Sequence, residues 1–322
     1  MLPLTIGQRT RALARSLILI AVAALVAPAA AQEATDKVTF AVVPIEVAAV
    51  PYYANDLGYF KSAGIDATIT PLQNGDAIAS AVASGAIDIG FSNALSLIVA
   101  HDKGLPLKIL FGTELNTGGA PTNGILTVLK SASIHSAKDL TGKIVAVSSL
   151  SSTNIYAVKN WIDKNGGDSK SVRYVEVPVP AMADTLSAGR VDAASMDAAN
   201  FNSRKDVLLQ LAPTYASVAP RFIGGGFITT SAWIDAHPQL ARKIVANLRK
   251  AAIYANTHHD EAVKLYAAHS RFTLADLAAA PRPTYSTSAT PALFQPLIDL
   301  AARYGLIKAT FPAGDIVSPL GE

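Results

Sequence analysis

The chain has 322 residues, half of them hydrophobic, 16% charged and 7% aromatic, enough apolar material for two ordinary cores and too few charges for a disordered chain. It contains no cysteine, which excludes a disulfide scaffold, a thiolate zinc site, an iron–sulfur cluster and a cysteine nucleophile. Three of its 27 basic residues, Arg9, Arg11 and Arg15, precede Gln32 and leave 24 against 24 acidic ones, a balance with no electrostatic footprint for nucleic acid.

Those arginines stand before Ser16–Ala27, a run of apolar or small residues, followed by Pro28 and Ala29-Ala30-Ala31. A basic region, a short apolar core and an A-x-A site make a secretory signal peptide. A membrane anchor needs roughly 18 or more apolar residues, and this run is shorter. Residues 1–31 are therefore expected to be removed after Ala31, leaving a periplasmic protein, with no cysteine to carry a lipid.

The elements then follow in order. Lys37–Val43 reads as a first strand ended by Pro44, and Pro51 to Lys61 as a helix with its proline near N1. Ala67–Thr70 is β-rich. Leu107–Phe111 and Gly124–Leu129 read as further strands of a first lobe, Ser131–Ser136 as a connector, and Lys143–Val147 as the strand that opens a second lobe. Val172–Val177 is β-rich, and Gly224-Gly225-Gly226 leads into a strand at Phe227–Thr230. From Ser231 the pattern is mostly helical, over Asp235–His258, Glu261–His269 and Pro291–Tyr304. These helices have no second sheet of their own, so they are expected to pack back on the first lobe.

Two stretches repeat. Ala81-Val-Ala-Ser-Gly85-Ala-Ile-Asp88 runs on to Ser92-Asn93, and Thr185-Leu-Ser-Ala-Gly189-Arg-Val-Asp192 runs on to Met196-Asp197. In each, a small-residue helix ends at a glycine suited to the left-handed C′ position. A hydrophobic residue, an aspartate, a short strand and a polar residue follow. Strands alternating with helical patterns argue for parallel βαβ units, and two copies argue for two α/β lobes.

Pro51–Ile65, Ala83–Gly90 with Lys103-Gly104, and above all Ile134-His-Ser-Ala-Lys138-Asp139-Leu140-Thr-Gly142-Lys143-Ile-Val145-Ala146-Val147 resemble the periplasmic solute-binding proteins for nitrate, sulfonates and taurine. The resemblance implies an α/β, two-lobed periplasmic binding protein of type II, each lobe a mainly parallel sheet flanked by helices, that serves an ABC importer. Lobe 1 is expected at 36–132 and 223–322, discontinuous, and lobe 2 at 133–222. The partners it implies are a small-molecule ligand and a membrane permease with its separate ATPase; a monomer without cofactor is expected. A cousin group makes the thiamine pyrimidine with a cysteine-rich motif, so binding a pyrimidine precursor is an alternative.

In open α/β sheets, ligands bind beyond the carboxyl ends of the strands. That rule selects Glu46 after the first strand, Gln73 and Asn74 after the second, and Ser92 and Asn93 after the third. In lobe 2 it selects Ser148, Ser149, Ser151, Ser152 and Thr153, then Asp197 and Asn200. The Ser148–Thr153 segment precedes a helix with Ile155, Val158, Trp161 and Ile162 at helical spacing. Its hydroxyls and the unpaired N–H groups of the helix start suit a sulfonate, carboxylate or nitrate, although one of these serines can equally be a cap. Glu46 and Asp197, if both line the cleft, favour a zwitterion or a nitrogen-rich ring. Tyr52, Tyr156 and Phe222 are candidates for an aromatic wall.

An enzyme reading has less behind it. Gly90-Phe-Ser92-Asn-Ala94 nearly matches the G-x-S-x-G elbow, and Asp197 with a later His237, His258, His259 or His269 keeps the hydrolase order. The turn recurs in the second copy with Met196 in place of the serine, which marks it as architectural. The chain has no H-E-x-x-H zinc pattern and no phosphate-binding G-x-x-x-x-G-K-[ST] loop.

Overall fold

The computed structural model describes residues 35–322; the expected signal peptide lies outside them. The first strand, β1 (Asp36–Val42), is followed by α1 (Val50–Asp56) and α2 (Tyr59–Ser62). The single helix expected here is two, because Gly58 takes the left-handed conformation at φ 71° between them, a geometry glycine enters without steric penalty. Then come β2 (Ile65–Pro71), α3 (Gly75–Ala83), β3 (Ile89–Asn93), α4 (Ala94–Asp102) and β4 (Leu107–Gly112). Strands β3 and β4 are buried along nearly their whole length, and Phe40, Ile89, Ile109 and Phe111 are fully buried, as expected inside a sheet covered on both faces, whereas β2, at the edge, alternates.

Two residues of β5 (Leu115–Asn116) lead to β6 (Ile125–Leu129), β7 (Ile144–Val147), α5 (Thr153–Lys164), β8 (Arg173–Glu176), α6 (Met182–Ser187), β9 (Ala193–Met196), α7 (Ala198–Asn202) and β10 (Leu208–Pro213). The chain returns through β11 (Phe222–Ile223) into β12 (Gly225–Thr230). It finishes in α8 (Ser231–Ala236), α9 (Pro238–Thr257), α10 (His259–Ala267), α11 (Leu274–Ala278) and α12 (Gln295–Arg303).

The strands form two five-stranded sheets, β2-β1-β3-β12-β4 and β10-β6-β9-β7-β8, and β5 and β11 pair as a two-stranded ribbon. In the first sheet only β12 runs against its neighbours. In the second only β6 does. One strand assignment changes: Gly124–Leu129, expected in the first lobe, pairs as β6 with β9 and β10 in the second sheet. The chain therefore crosses before Ile125 rather than at residue 133. A five-residue apolar run shows that it is buried; its partners are chosen by strands 65 to 88 residues later, which its own sequence does not encode.

The C-terminal helices do pack back on the first sheet. Ile244, Leu248 and Ala252 of α9 and Leu297 and Ile298 of α12 share one hydrophobic cluster with Phe40, Tyr53 and Phe111. Facing the second sheet, Val145 and Val147 pack with Ile155, Val158 and Ile162, while Ala146, between them on the opposite face, packs with Met182, Leu186 and Met196. The period of two along β7 decides which cluster each residue joins.

The internal repeat performs matched tasks. Gly85 and Gly189 stand in left-handed conformation at φ 77° and 67°. Asp88 Oδ2 accepts the Thr39 N–H (2.8 Å) and hydroxyl (2.7 Å) of β1; Asp192 Oδ2 accepts the Ile144 N–H (2.8 Å) at the start of β7. Each aspartate pins the strand after its helix to its parallel neighbour, β3 to β1 in the first sheet and β9 to β7 in the second.

Candidate ligand-binding cleft

Four helices begin at the facing ends of the two sheets, and each opens on a side chain that accepts from the third helical N–H. Asn74 caps α3 through Ala77 (2.9 Å), Asn93 caps α4 through Ser96 (2.9 Å), Ser152 caps α5 through Ile155 (3.4 Å) and Asp197 caps α7 through Asn200 (3.0 Å). Between these caps lies a cavity of about 70 Å³. With roughly 10–15 Å³ needed per water on this scale, it has room for about five waters.

Of the twelve residues selected from the sequence, seven line this cavity: Asn74, Asn93, Ser148, Ser149, Ser152, Thr153 and Asp197. The other five lie elsewhere. Gln73 is exposed. Ser92 is buried, its hydroxyl donating to the carbonyls of Gly75 (3.4 Å) and Asn93 (3.3 Å), so its partners include no base. Ser151 turns away to Asp76. Asn200 is buried behind Asp197, giving it an amide hydrogen bond (2.6 Å) while its own carbonyl oxygen accepts from Arg271 (2.8 Å). Glu46 forms an ion pair with Arg282 behind the wall.

The aromatic wall is also different. Tyr52 stacks on His269 with ring centroids 4.0 Å apart, Tyr156 packs on Tyr304, and Phe222 is buried against Tyr215. Phe91 and Tyr215 are the rings that line the cavity. Glu114, Asn123 and Met182 line it as well. Glu114 lies just past the end of β4, the carboxyl end of a fourth strand, where the strand-end rule applies as it does to the first three.

The cleft holds buried carboxyls. Burial pushes Glu114 up to about 8, against a hydrogen bond from Asn123 that favours the charged form, with Glu46 adding to the rise. Burial likewise raises Glu46 to about 7, opposed by Arg282 and reinforced by Asp197. Asp197 is raised by burial and held down in part by the Asn200 hydrogen bonds.

The serine loop meets a carboxylate of the chain itself. Asp76, in the first turn of α3, accepts both carboxylate hydrogen bonds of the Ser151 hydroxyl at 2.8 Å and one each from Ser149 and Ser96. Two further bonds cross between the sheets nearby: Thr153 donates its N–H to Asn93 Oδ1 and its hydroxyl to the Gly224 carbonyl, each at 3.3 Å. At the rim, Tyr304 donates to Asp163 (2.7 Å) and Arg303 to Asn160 (3.3 Å). The two sheets thus face one another across a closed cleft.

This is the fold of the periplasmic binding proteins. The alkanesulfonate-binding protein SsuA of Xanthomonas axonopodis pv. citri, solved with MOPS, matches at a TM-score of 0.71 with 16% identity, over 88% of this chain and 98% of its own. The ligand-binding component of an ABC-type import system from Staphylococcus aureus, solved with zinc, matches at 0.77 with 15% identity, over 88% and 97%. The nitrate-binding protein NrtA of Synechocystis PCC 6803 matches at 0.71 with 13% identity, over 87% and 84%. At these identities the likeness is one of fold. The profile of the family described as NMT1/THI5 like matches residues 47–262, more than half of the chain, and the chain belongs to that family. No curated protein matches it in sequence.

Proposed function

We propose that this protein is the periplasmic substrate-binding component of an ABC importer, closing two lobes on a small polar solute and presenting it to a membrane permease. The observation that carries this reading is the convergence of strand ends from both sheets and four helix starts on one small cavity. Such a switch point is where open α/β sheets bind ligands. The first lobe is the first sheet with the C-terminal helices, the second lobe is the second sheet, and the β5/β11 ribbon is the hinge. Solutes of the sulfonate, taurine or nitrate kind are the first to try, since sulfonate and nitrate binding are named for the solved structures that share the fold.

A thermal-shift screen on the chain from Gln32 onward, refolded from denaturant to remove carried-over ligand, tests the proposal. A ligand at about 100 times its Kd adds roughly 2.7 kcal/mol to stability, a shift of several degrees. The panel holds sulfonates with taurine, nitrate, carboxylates, amino acids and pyrimidines. A saturable shift from one of these classes is expected. A flat response to all of them overturns the receptor reading.

A further inference from the structure

Charge around the cavity is one-sided. Glu114 and Asp197 line it, and among the described residues no lysine, arginine or histidine does. Glu114 is only 6% exposed. Arg282 faces Glu46 in an ion pair, and Arg271 donates to Asn200.

Helix starts and hydroxyls would ordinarily argue for an anion. Here that capacity is used internally. Asp76 places its own carboxylate where the starts of α3, α4 and α5 meet, and takes the hydroxyls of Ser96, Ser149 and Ser151. Ser152 is spent as the α5 cap, and the start of α7 is capped by the acidic Asp197. An anion entering the cavity would meet Asp197, and a second carboxylate wherever Glu114 is ionised, with no basic side chain among the lining residues to pair with it, a costly arrangement in a water-poor site.

Resting on the receptor reading above, we infer that the solute presents an ammonium or amidinium nitrogen to Glu114 and Asp197, either as a simple cation or as the positive end of a zwitterion. A bare anion such as nitrate is not its ligand. The cationic nitrogen supplies donors for carboxylate oxygens that no basic side chain reaches. It also returns Glu114, which burial has pushed toward its neutral form, to the ionised state in which a charge-assisted hydrogen bond is strongest.

Matched pairs test this on the refolded chain: taurine against ethanesulfonate, β-alanine against propionate, and acetamidine against acetate, with nitrate added. Calorimetry and thermal shift are expected to show binding by the nitrogen-bearing member of at least one pair and at least tenfold weaker binding by its partner. In Glu114→Gln, checked for folding by circular dichroism, that difference should collapse; Asp197→Asn serves in its place if the first variant does not fold. Nitrate or a deaminated partner binding as tightly as the amine overturns the inference and leaves the receptor reading standing. Amine binding that is unchanged in the variant also overturns it. Silence from every compound in both charge classes removes the receptor reading and the inference together.

Discussion

Glu114 shows what a buried carboxyl does to the protein that holds it. Its proton is bound more tightly in the folded chain, at about pH 8, than an exposed glutamate would bind it, and Glu46 behaves similarly at about 7. A raised carboxyl binds its proton better folded than unfolded, so stability from it is full at low pH and is lost as pH rises through the folded value. Between about pH 4.5 and 8, the ligand-free protein is therefore expected to lose stability, by at most about 1.4 kcal/mol per pH unit for each group. Urea midpoints from pH 5 to 9 should fall, and Glu114→Gln should flatten the slope; a wild-type profile that stays level above pH 5 contradicts the burial argument. Asp197 has two tasks, capping α7 and lining the cavity. Asp197→Ala should cost about 1 kcal/mol of stability through the lost cap and weaken ligand binding, while the chain stays folded; unchanged affinity removes Asp197 from the site. Asp197 was legible in the sequence because the repeat aligns it with Asn93, whereas Asn200, equally near in sequence, proves to be its partner rather than a lining residue. Glu114 stands outside the repeat, and only its place just past the end of β4 marks it.

At the scale of elements, the cleft is a set of helix starts, and those starts are what a sequence exposes best. Ser152, Asn93 and Asn74 were legible because a polar residue between a strand and a helical run has few uses other than as a cap. What the serines accept from and donate to was not legible, since Asp76 is some 75 positions from them along the chain. Its contacts with Ser149 and Ser151 join the two sheets, so in the proposed receptor they belong to the closed form. Hydrogen bonds to a charged group are worth about 1.5–3 kcal/mol each. Asp76→Ala should thus favour the open form, raising the ligand Kd about tenfold and increasing the radius of gyration measured by small-angle X-ray scattering. An unaltered Kd and radius would mean that closure does not depend on this contact. A second element-scale test concerns the turn before β6. Gly124 has φ 65°, and a Cβ there would lie 2.1 Å from the Tyr215 ring, so Gly124→Ala should lower the melting temperature by several degrees. A melting temperature within one degree of wild type would show that the ring has room to move.

For the molecule as a whole, the α/β class and the two-sheet plan were readable because βαβ periodicity and an internal repeat are properties of long stretches, and long stretches average out local ambiguity. The boundary was less readable, since β6 is too short to declare its sheet. The closed cleft also sets the thermodynamics of binding: a solute can hold the lobes together only by contacts that the open form lacks. The bonds already made across the cleft by Asp76, Asn93 and Thr153 lower the amount that a solute must supply. The β5/β11 ribbon has a further consequence. The chain leaves the first sheet at Thr113 and returns at Gly225, where the Thr113 N–H and hydroxyl both donate to the Gly225 carbonyl at 3.1 and 3.0 Å. Everything between hangs from one doubled thread, and in genetic terms it is a cassette whose two ends already touch. Exchanging that segment, with one junction beside Thr113 and the other beside Gly225, would carry Glu114, the serine loop and Asp197 together, leave Asn74 and Asn93 in place, and replace half of a binding site as a unit without reordering a strand of the sheet that stays behind.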